Sequence, residues 1–185
     1  MRVIAGSARG TKLETLPGEE ITRPTIERVK EGMFSSIQFQ VPGAVVLDLF
    51  AGSGQLGIEA LSRGAARCIF CDENRQAAEI VQRNCRAAGV FANSKVVSMQ
   101  AMALLSGTKE KFDLVFLDPP YRHGMLQAIL PAVAKVTQQG GIVLCESELD
   151  ADLPQEVAGL ELKKQYKYGT VRVTKYCKTG EEASV

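Results

Sequence analysis

The run Leu117-Asp118-Pro119-Pro120-Tyr121 has the residue types to hold a flat group that carries an amine. Residues 112–118 read as a buried strand that ends in a carboxylate, two prolines and an aromatic ring. Proline has no N–H to give a central strand and has a fixed backbone dihedral, so the chain must turn here. The Asp118 carboxylate and the proline carbonyls can then accept hydrogen bonds from an amine while Tyr121 stacks on the group that bears it. A proline-rich turn with no ligand is the alternative, and the tetrapeptide by itself does not choose between them.

A second constellation surrounds Gly52, Gly54 and Gly57, which match G-x-G-x-x-G between a strand-like run and a helical stretch, with Asp72 twenty residues after Gly52. This is a dinucleotide fingerprint, and a nicotinamide-dependent dehydrogenase is one reading of it. Asp48, four residues before Gly52, favours another. A carboxylate beside the loop repels a pyrophosphate but suits a cationic amine, such as the amino-acid end of S-adenosylmethionine. Asp72 would serve the ribose of either cofactor. Carboxylates at the ends of three strands, Asp48, Asp72 and Asp118, each need hydrogen-bond partners, and one shared ligand would account for all of them. With a methyl donor in the crevice, hydrogen bonds to Asp118 and to the Pro119 carbonyl would orient the lone pair of a nucleobase amine. A base within folded nucleic acid would first have to leave its stack. No histidine base is required, and the single histidine, His123, reads as loop surface.

Alternating elements must bring these residues together. Apolar runs at 44–50, 66–72, 95–99, 112–118 and 141–146 have strand length. Between them lie helical stretches: one from the glycine loop to about Gly64, one from Asn74 to about Ala88 with Gly89 as stop, a short piece, and one marked by Met125, Leu126, Ile129, Leu130 and Val133 with Pro131 as a kink. This rhythm predicts an α/β fold with a doubly wound parallel sheet, whose ligands bind at the carboxyl ends of the strands where strand order reverses. Runs at 160–168 and 171–177, joined by Gly169-Thr170, are too close for a crossover and predict an antiparallel C-terminal hairpin. Ahead of the sheet, 2–16 predicts a small β-hairpin with Gly10 near its turn. A helix follows, with Thr22 or Arg23 as cap, Pro24 in its first turn, a buried stripe of Ile26, Val29, Met33 and Ile37, and Thr25 and Arg28 together on another face. The expected division is 1–43 as an extension packed on the core, 44–178 as the core and 179–185 as a tail, a single domain overall.

The 185 residues are 45% hydrophobic and 23% charged, as in ordinary globular proteins, and the net charge is +1. Charge is nevertheless uneven. Lys163, Lys164, Lys167, Arg172, Lys175 and Lys178 face only Glu161 within 159–178, which makes either a basic surface for a polyanion or a lysine-protected edge strand. Five cysteines without a regular framework suggest reduced thiols and a cytoplasmic setting. Cys68 and Cys71, three apart on a strand, would point to opposite faces and share no metal, so no metal site is expected. No apolar run approaches a membrane span.

The block 48–54, Asp-Leu-Phe-Ala-Gly-Ser-Gly, with 56–65, Leu-Gly-Ile-Glu-Ala-Leu-Ser-Arg-Gly-Ala, and Asp118-Pro119-Pro120-Tyr121 resembles the RsmD family. These are bacterial S-adenosylmethionine-dependent enzymes that methylate the exocyclic N2 amine of a guanine in small-subunit 16S rRNA. The resemblance extends to Arg2-Val3-Ile4-Ala5-Gly6, Arg9-Gly10, Arg23-Pro24-Thr25 with Arg28, Glu146-Ser147-Glu148 and Tyr168-Gly169-Thr170, and so covers the chain to about Cys177. It implies a seven-stranded Rossmann-like methyltransferase sheet whose last strand is antiparallel. It also implies a cofactor site of Asp48, Phe50, Ala51, Gly52, Ser53, Gly54 and Asp72, with Gln100 and Ala101 near the adenine. Catalysis would fall to Asp118, Pro119, Pro120 and Tyr121. Arg23, Thr25 and Arg28 would border the substrate, which Tyr121 and the basic Lys163, Lys164 and Lys167 would also bind. The partner would be 16S rRNA, within the small subunit or its assembly intermediates, and the enzyme a cytoplasmic monomer. Methylation of adenine N6 in DNA or RNA is the alternative on the same chemistry; a non-catalytic RNA-binding assembly factor and a dehydrogenase are the others.

Overall fold

The computed structural model describes residues 1–17, 24–120 and 124–180, with the backbone alone at 24–26. Thr22 and Arg23 at the expected helix cap, the Tyr121 ring, His123 and tail residues 181–185 lie outside the described residues.

The chain alternates as its apolar pattern requires: α1 (Pro24–Ser36), β1 (Val45–Asp48), α2 (Gln55–Ser62), β2 (Arg67–Asp72), α3 (Arg75–Ala87), β3 (Ser94–Ser98), α4 (Ala101–Gly107), β4 (Phe112–Leu117), α5 (Met125–Val136) and β5 (Thr137–Glu148). Three more strands, β6 (Glu156–Val157), β7 (Leu160–Tyr168) and β8 (Val171–Lys178), complete one sheet in the order β3-β2-β1-β4-β5-β8-β7-β6. The first five are parallel, and β8, β7 and β6 continue antiparallel. The sheet has eight strands where seven were expected, the addition being the two-residue β6. A hydrophobic alternation cannot announce so short a piece.

Both faces of the central strands are covered, which is why their sequences are apolar almost without interruption. On one face Val46, Phe70, Leu114, Phe116 and Leu144 pack with Val29, Met33 and Phe34 of α1, Ile58 of α2 and Val81 of α3. On the other, Leu47, Cys71, Val115, Leu117 and Cys145 pack with Leu105 of α4 and Ile129, Leu130 and Val133 of α5. Cys68 belongs to the first core and Cys71 to the second, so the two thiols do lie on opposite faces. Pro131 is accommodated inside α5. Strand order runs outward from β1 to β3 and then resumes with β4 on the other side of β1, so the reversal lies between β1 and β4.

The expected N-terminal hairpin is reduced to a single bridge, Arg2 to Lys12. Side chains of the core hold it instead of a ladder. Glu59 of α2, wholly buried, accepts from the backbone N–H groups of Ile4 at 2.8 Å and Ala5 at 3.0 Å. Ser62 one turn later donates to the Ala5 carbonyl at 2.6 Å and accepts from the Ala8 N–H at 2.9 Å. Gly6 is at φ +85°, and a Cβ there would lie 1.8 Å from the Ser62 carbonyl oxygen, so only glycine allows this approach. Lys30 of α1, 2% exposed, lies 3.4 Å from Glu59 and donates to the Arg2 carbonyl at 2.7 Å, while Arg63 binds Glu59 at 2.8 Å.

Removing one partner of a buried ion pair leaves the other uncompensated. Glu59→Ala strands Lys30 and two backbone N–H groups, and is expected to lower stability by about 3–5 kcal/mol in urea unfolding. A loss below about 1 kcal/mol would show that water replaces the carboxylate at no cost.

Candidate active site

The reversal between β1 and β4 brings the glycine loop and the proline corner side by side. The Leu49 N–H, just past β1, donates to the Phe116 carbonyl of β4 at 3.1 Å, and the Ala51 N–H donates to the Cys71 carbonyl of β2 at 3.0 Å. The ends of three strands are therefore joined through the residues that lead into the loop.

Two carboxylates then grip the loop from either end. Asp72 accepts the Gly52 N–H at 2.9 Å with one oxygen and the Asn74 N–H at 2.8 Å with the other. Asp48, 1% exposed, accepts the Gly57 N–H at 2.9 Å, one of the backbone donors in the first turn of α2. Asn84 of α3 donates to the Ser53 carbonyl at 2.8 Å and to the Glu14 carbonyl at 3.0 Å, tying the loop to the N-terminal segment. The glycines have separate causes. Gly52 at φ +52° and Gly54 at φ +78° hold a conformation that side chains resist, and a Cβ on Gly52 would meet nothing within 4 Å, so the loop borders open space there. A Cβ on Gly57 would fall 2.3 Å from the Phe70 ring and 2.6 Å from the Cys68 sulfur, so this glycine lets α2 lie on β2.

Burial pushes the Asp48 carboxyl up to about 8; the Gly57 N–H opposes that shift, and the negative charges of Asp118 and Asp72 add to it. A third acceptor, the Gln55 side-chain oxygen at the start of α2, is buried with no hydrogen-bond partner. Buried acidic acceptors and an unsatisfied oxygen close to the loop suit a cationic amine, which donates hydrogen bonds, and not a pyrophosphate. They fit the amino-acid end of S-adenosylmethionine and disfavour a dinucleotide.

At the ends of β2 and β3 the Met99 N–H donates to the Asp72 carbonyl at 3.1 Å, which places Gln100 and Ala101 directly beyond Asp72. Gln100 precedes α4 with no side-chain cap bond and is exposed, and Ala101 is half-buried. Phe50 is half-buried against the core that contains α5. In the proline corner Asp118 is half-buried, Pro119 buried and Pro120 exposed. A cavity of about 260 Å³ opens beside the corner, lined by Pro119, Pro120, Glu146, Ser147 and Glu148 among others. Its glutamates were visible in the sequence as alternate residues at a strand end, a pattern that does not by itself suggest a ligand.

The outer substrate residues are dispersed. Arg28 is exposed on α1, Thr25 is described only as backbone in its first turn, and Arg23 lies outside the described residues. The three lysines do not share a face, and the register of β7 on β8 shifts between Leu162 and Lys164. Lys163, at the irregularity, pairs with Glu161. Lys164 lies over the Tyr166 ring at 5.1 Å, on the face where Tyr166 stacks on Tyr168 with centroids 6.5 Å apart. Lys167, an odd number of residues from Lys164 beyond the shift, points to the opposite face.

The raised pKa of Asp48 gives a pH signature. Its folded value of about 8 exceeds the ordinary 3.8, so the folded protein binds the extra proton between them. This contribution to stability is complete below the ordinary value and is lost as pH rises through about 8. Urea unfolding from pH 5 to 8 should show a fall with pH of up to about 1.4 kcal/mol per unit that Asp48→Asn removes; equal slopes in the two proteins would contradict it.

Known proteins are similar to this chain in sequence and in fold. The family model described as conserved hypothetical protein 95 matches residues 1–177. YlbH of Bacillus subtilis (strain 168) is 37% identical over 97% of this chain and 100% of its own. Ribosomal RNA small subunit methyltransferase D of Escherichia coli (strain K12) is 33% identical over 95% of this chain and 89% of its own. The solved structure of Escherichia coli yhhF superposes with a TM-score of 0.87 at 31% identity, covering 98% of this chain and 99% of that one. An RNA methyltransferase from Salinibacter ruber in complex with S-adenosyl-L-homocysteine shares the fold, with a TM-score of 0.67 at 18% identity over 88% of this chain and 98% of its own. With a family model that spans nearly its whole length and relatives that align end to end, this chain belongs to the conserved hypothetical protein 95 family, the family of RsmD.

Proposed function

We propose that the protein transfers a methyl group from S-adenosylmethionine to the exocyclic N2 amine of a guanine in 16S rRNA of the small ribosomal subunit. The observation that carries this reading is the strand-order reversal, which sets the Asp48 loop beside the Asp118-Pro119-Pro120 corner. The name of the Escherichia coli relative supports a ribosomal substrate, and the S-adenosyl-L-homocysteine bound to the Salinibacter ruber protein supports the cofactor.

When bound, S-adenosylmethionine supplies an electrophilic methyl carbon on a sulfonium centre. Asp48 and the Gln55 oxygen would receive its ammonium group, Asp72 the ribose hydroxyls, and Gln100 and Ala101 the adenine, along the loop of Phe50, Ala51, Gly52, Ser53 and Gly54. Asp118 and the Pro119 carbonyl would accept the two hydrogens of the guanine amine. Those bonds draw the nitrogen lone pair out of conjugation and fix its direction, so the gain comes from orientation and preformed dipoles. Tyr121, next in the chain, would stack on a base turned out of its helix. After attack the nitrogen carries a positive charge and loses a proton, with Asp118 placed to receive it, so no histidine is needed. Arg23, Thr25 and Arg28 would border the RNA, and Lys164 with its tyrosine neighbours would meet it on the same face of the sheet. Among the described residues no helix is long and apolar enough to cross a membrane. A cytoplasmic monomer acting on small subunits or their assembly intermediates is the corresponding setting.

Incubation with labelled S-adenosylmethionine and naked 16S rRNA, small subunits or DNA, followed by nucleoside analysis, is expected to give N2-methylguanine in the ribosomal RNA. Label in N6-methyladenine, or none anywhere, contradicts the proposal. Asp118→Ala should lower transfer by about a hundredfold or more while the thermal shift from S-adenosylmethionine persists. Normal turnover by that variant removes the role given to the corner.

A further inference from the structure

We infer that Glu146 reads the N1–H of the target base and so makes the site selective for guanine; this rests on the proposed hold of Asp118 on the exocyclic amine. The register of β4 on β5 supplies the geometry. Phe116 lies beside Leu144 and Leu117 beside Cys145, so one step further sets Asp118 beside Glu146. Phe116 and Leu144 face one core, Leu117 and Cys145 the other. By the alternation of the pleat, Asp118 and Glu146 emerge on the Phe116 side, on adjacent strands spaced about 4.8 Å apart. Val173, the partner of Glu146 across β8, is buried in the same core as Phe116 and confirms the face. Asp48 alternates onto that face as well, two residues after Val46, and the charge of Asp118 acts on it. Glu146 is also among the residues that line the 260 Å³ cavity, together with Pro119 and Pro120.

Two carboxylates side by side match only one common base edge. Guanine presents its N2 amine next to the N1–H, two adjacent donors. Adenine presents its N6 amine next to N1, an acceptor, and cytosine its N4 amine next to N3, also an acceptor. An ionised carboxylate is an acceptor only, with room for several donors on its two oxygens. Glu146 beside Asp118 therefore meets the guanine N1–H with a charge-assisted hydrogen bond and meets the ring nitrogen of adenine or cytosine with lone-pair repulsion. A site that presents an acceptor there disfavours an analogue that presents another acceptor, because the two lone pairs repel.

The test compares small subunits reconstituted with guanine or with 2-aminopurine at the modified position, located by mass mapping of nuclease fragments of the labelled rRNA. 2-Aminopurine keeps the N2 amine and has an acceptor in place of N1–H. The wild type is expected to favour guanine in kcat/KM, and Glu146→Ala to lower that ratio about 10- to 100-fold, chiefly through the guanine rate, with the S-adenosylmethionine thermal shift unchanged. Glu146→Gln keeps an acceptor oxygen without the charge and serves if the alanine variant does not fold; its ratio should also fall, by about tenfold. A folded variant that loses activity on both substrates equally, or whose ratio is unchanged, overturns the inference while leaving the methyltransferase reading intact. A wild type that modifies neither substrate overturns both.

Discussion

The Gly57 N–H that Asp48 accepts, and the Gly52 N–H that Asp72 accepts, hold the loop on which the rest of the site depends. Between them runs a backbone bent through two left-handed glycines, with Asn84 bonded to the Ser53 carbonyl from below. Each carboxylate thus has a structural partner in the loop at the strand ends. Burial makes a carboxylate costly to ionise, and Asp48 carries that cost in its raised pKa, to which the charges of Asp118 and Asp72 add. A cation bound beside Asp48 would offset that cost.

Most of the sheet was legible because burial on both faces writes itself into sequence. Residues 45–48 and 112–117 are apolar almost throughout, and an acidic residue, Asp48 or Asp118, marks where each strand stops. Asp48, Asp72 and Asp118 stood out for the same reason, since a charge at the end of an apolar run needs a partner. Asp48 and Asp72 prove to have structural partners in the loop, which spacing alone does not reveal.

Features that depend on distant contacts were hidden. Lys30 and Glu59 look like ordinary helix surface charges, yet both are buried, because their partners lie in the first few residues of the chain. The N-terminal segment looks like a hairpin because it has strand-like residues and a turn glycine, yet core side chains replace its ladder. In β7 alternation sets Lys164 and Lys167 on opposite faces, and Lys163 sits at a shift in register, so three lysines that read as one basic patch are apart. Glu146 was equally opaque: its relation to Asp118 exists only once β4 and β5 pair in the observed register.

The central claim is that Asp48 is the seat of the cofactor's positive charge. At pH 7 a carboxyl with a pKa of about 8 is mostly protonated, and an ammonium group placed against it must drive that proton off. Calorimetric titration with S-adenosylmethionine at pH 7 in buffers of different ionisation heat measures the exchange directly. Release of close to one proton per site, abolished in Asp48→Asn, is the predicted result. Binding with no proton released would contradict it.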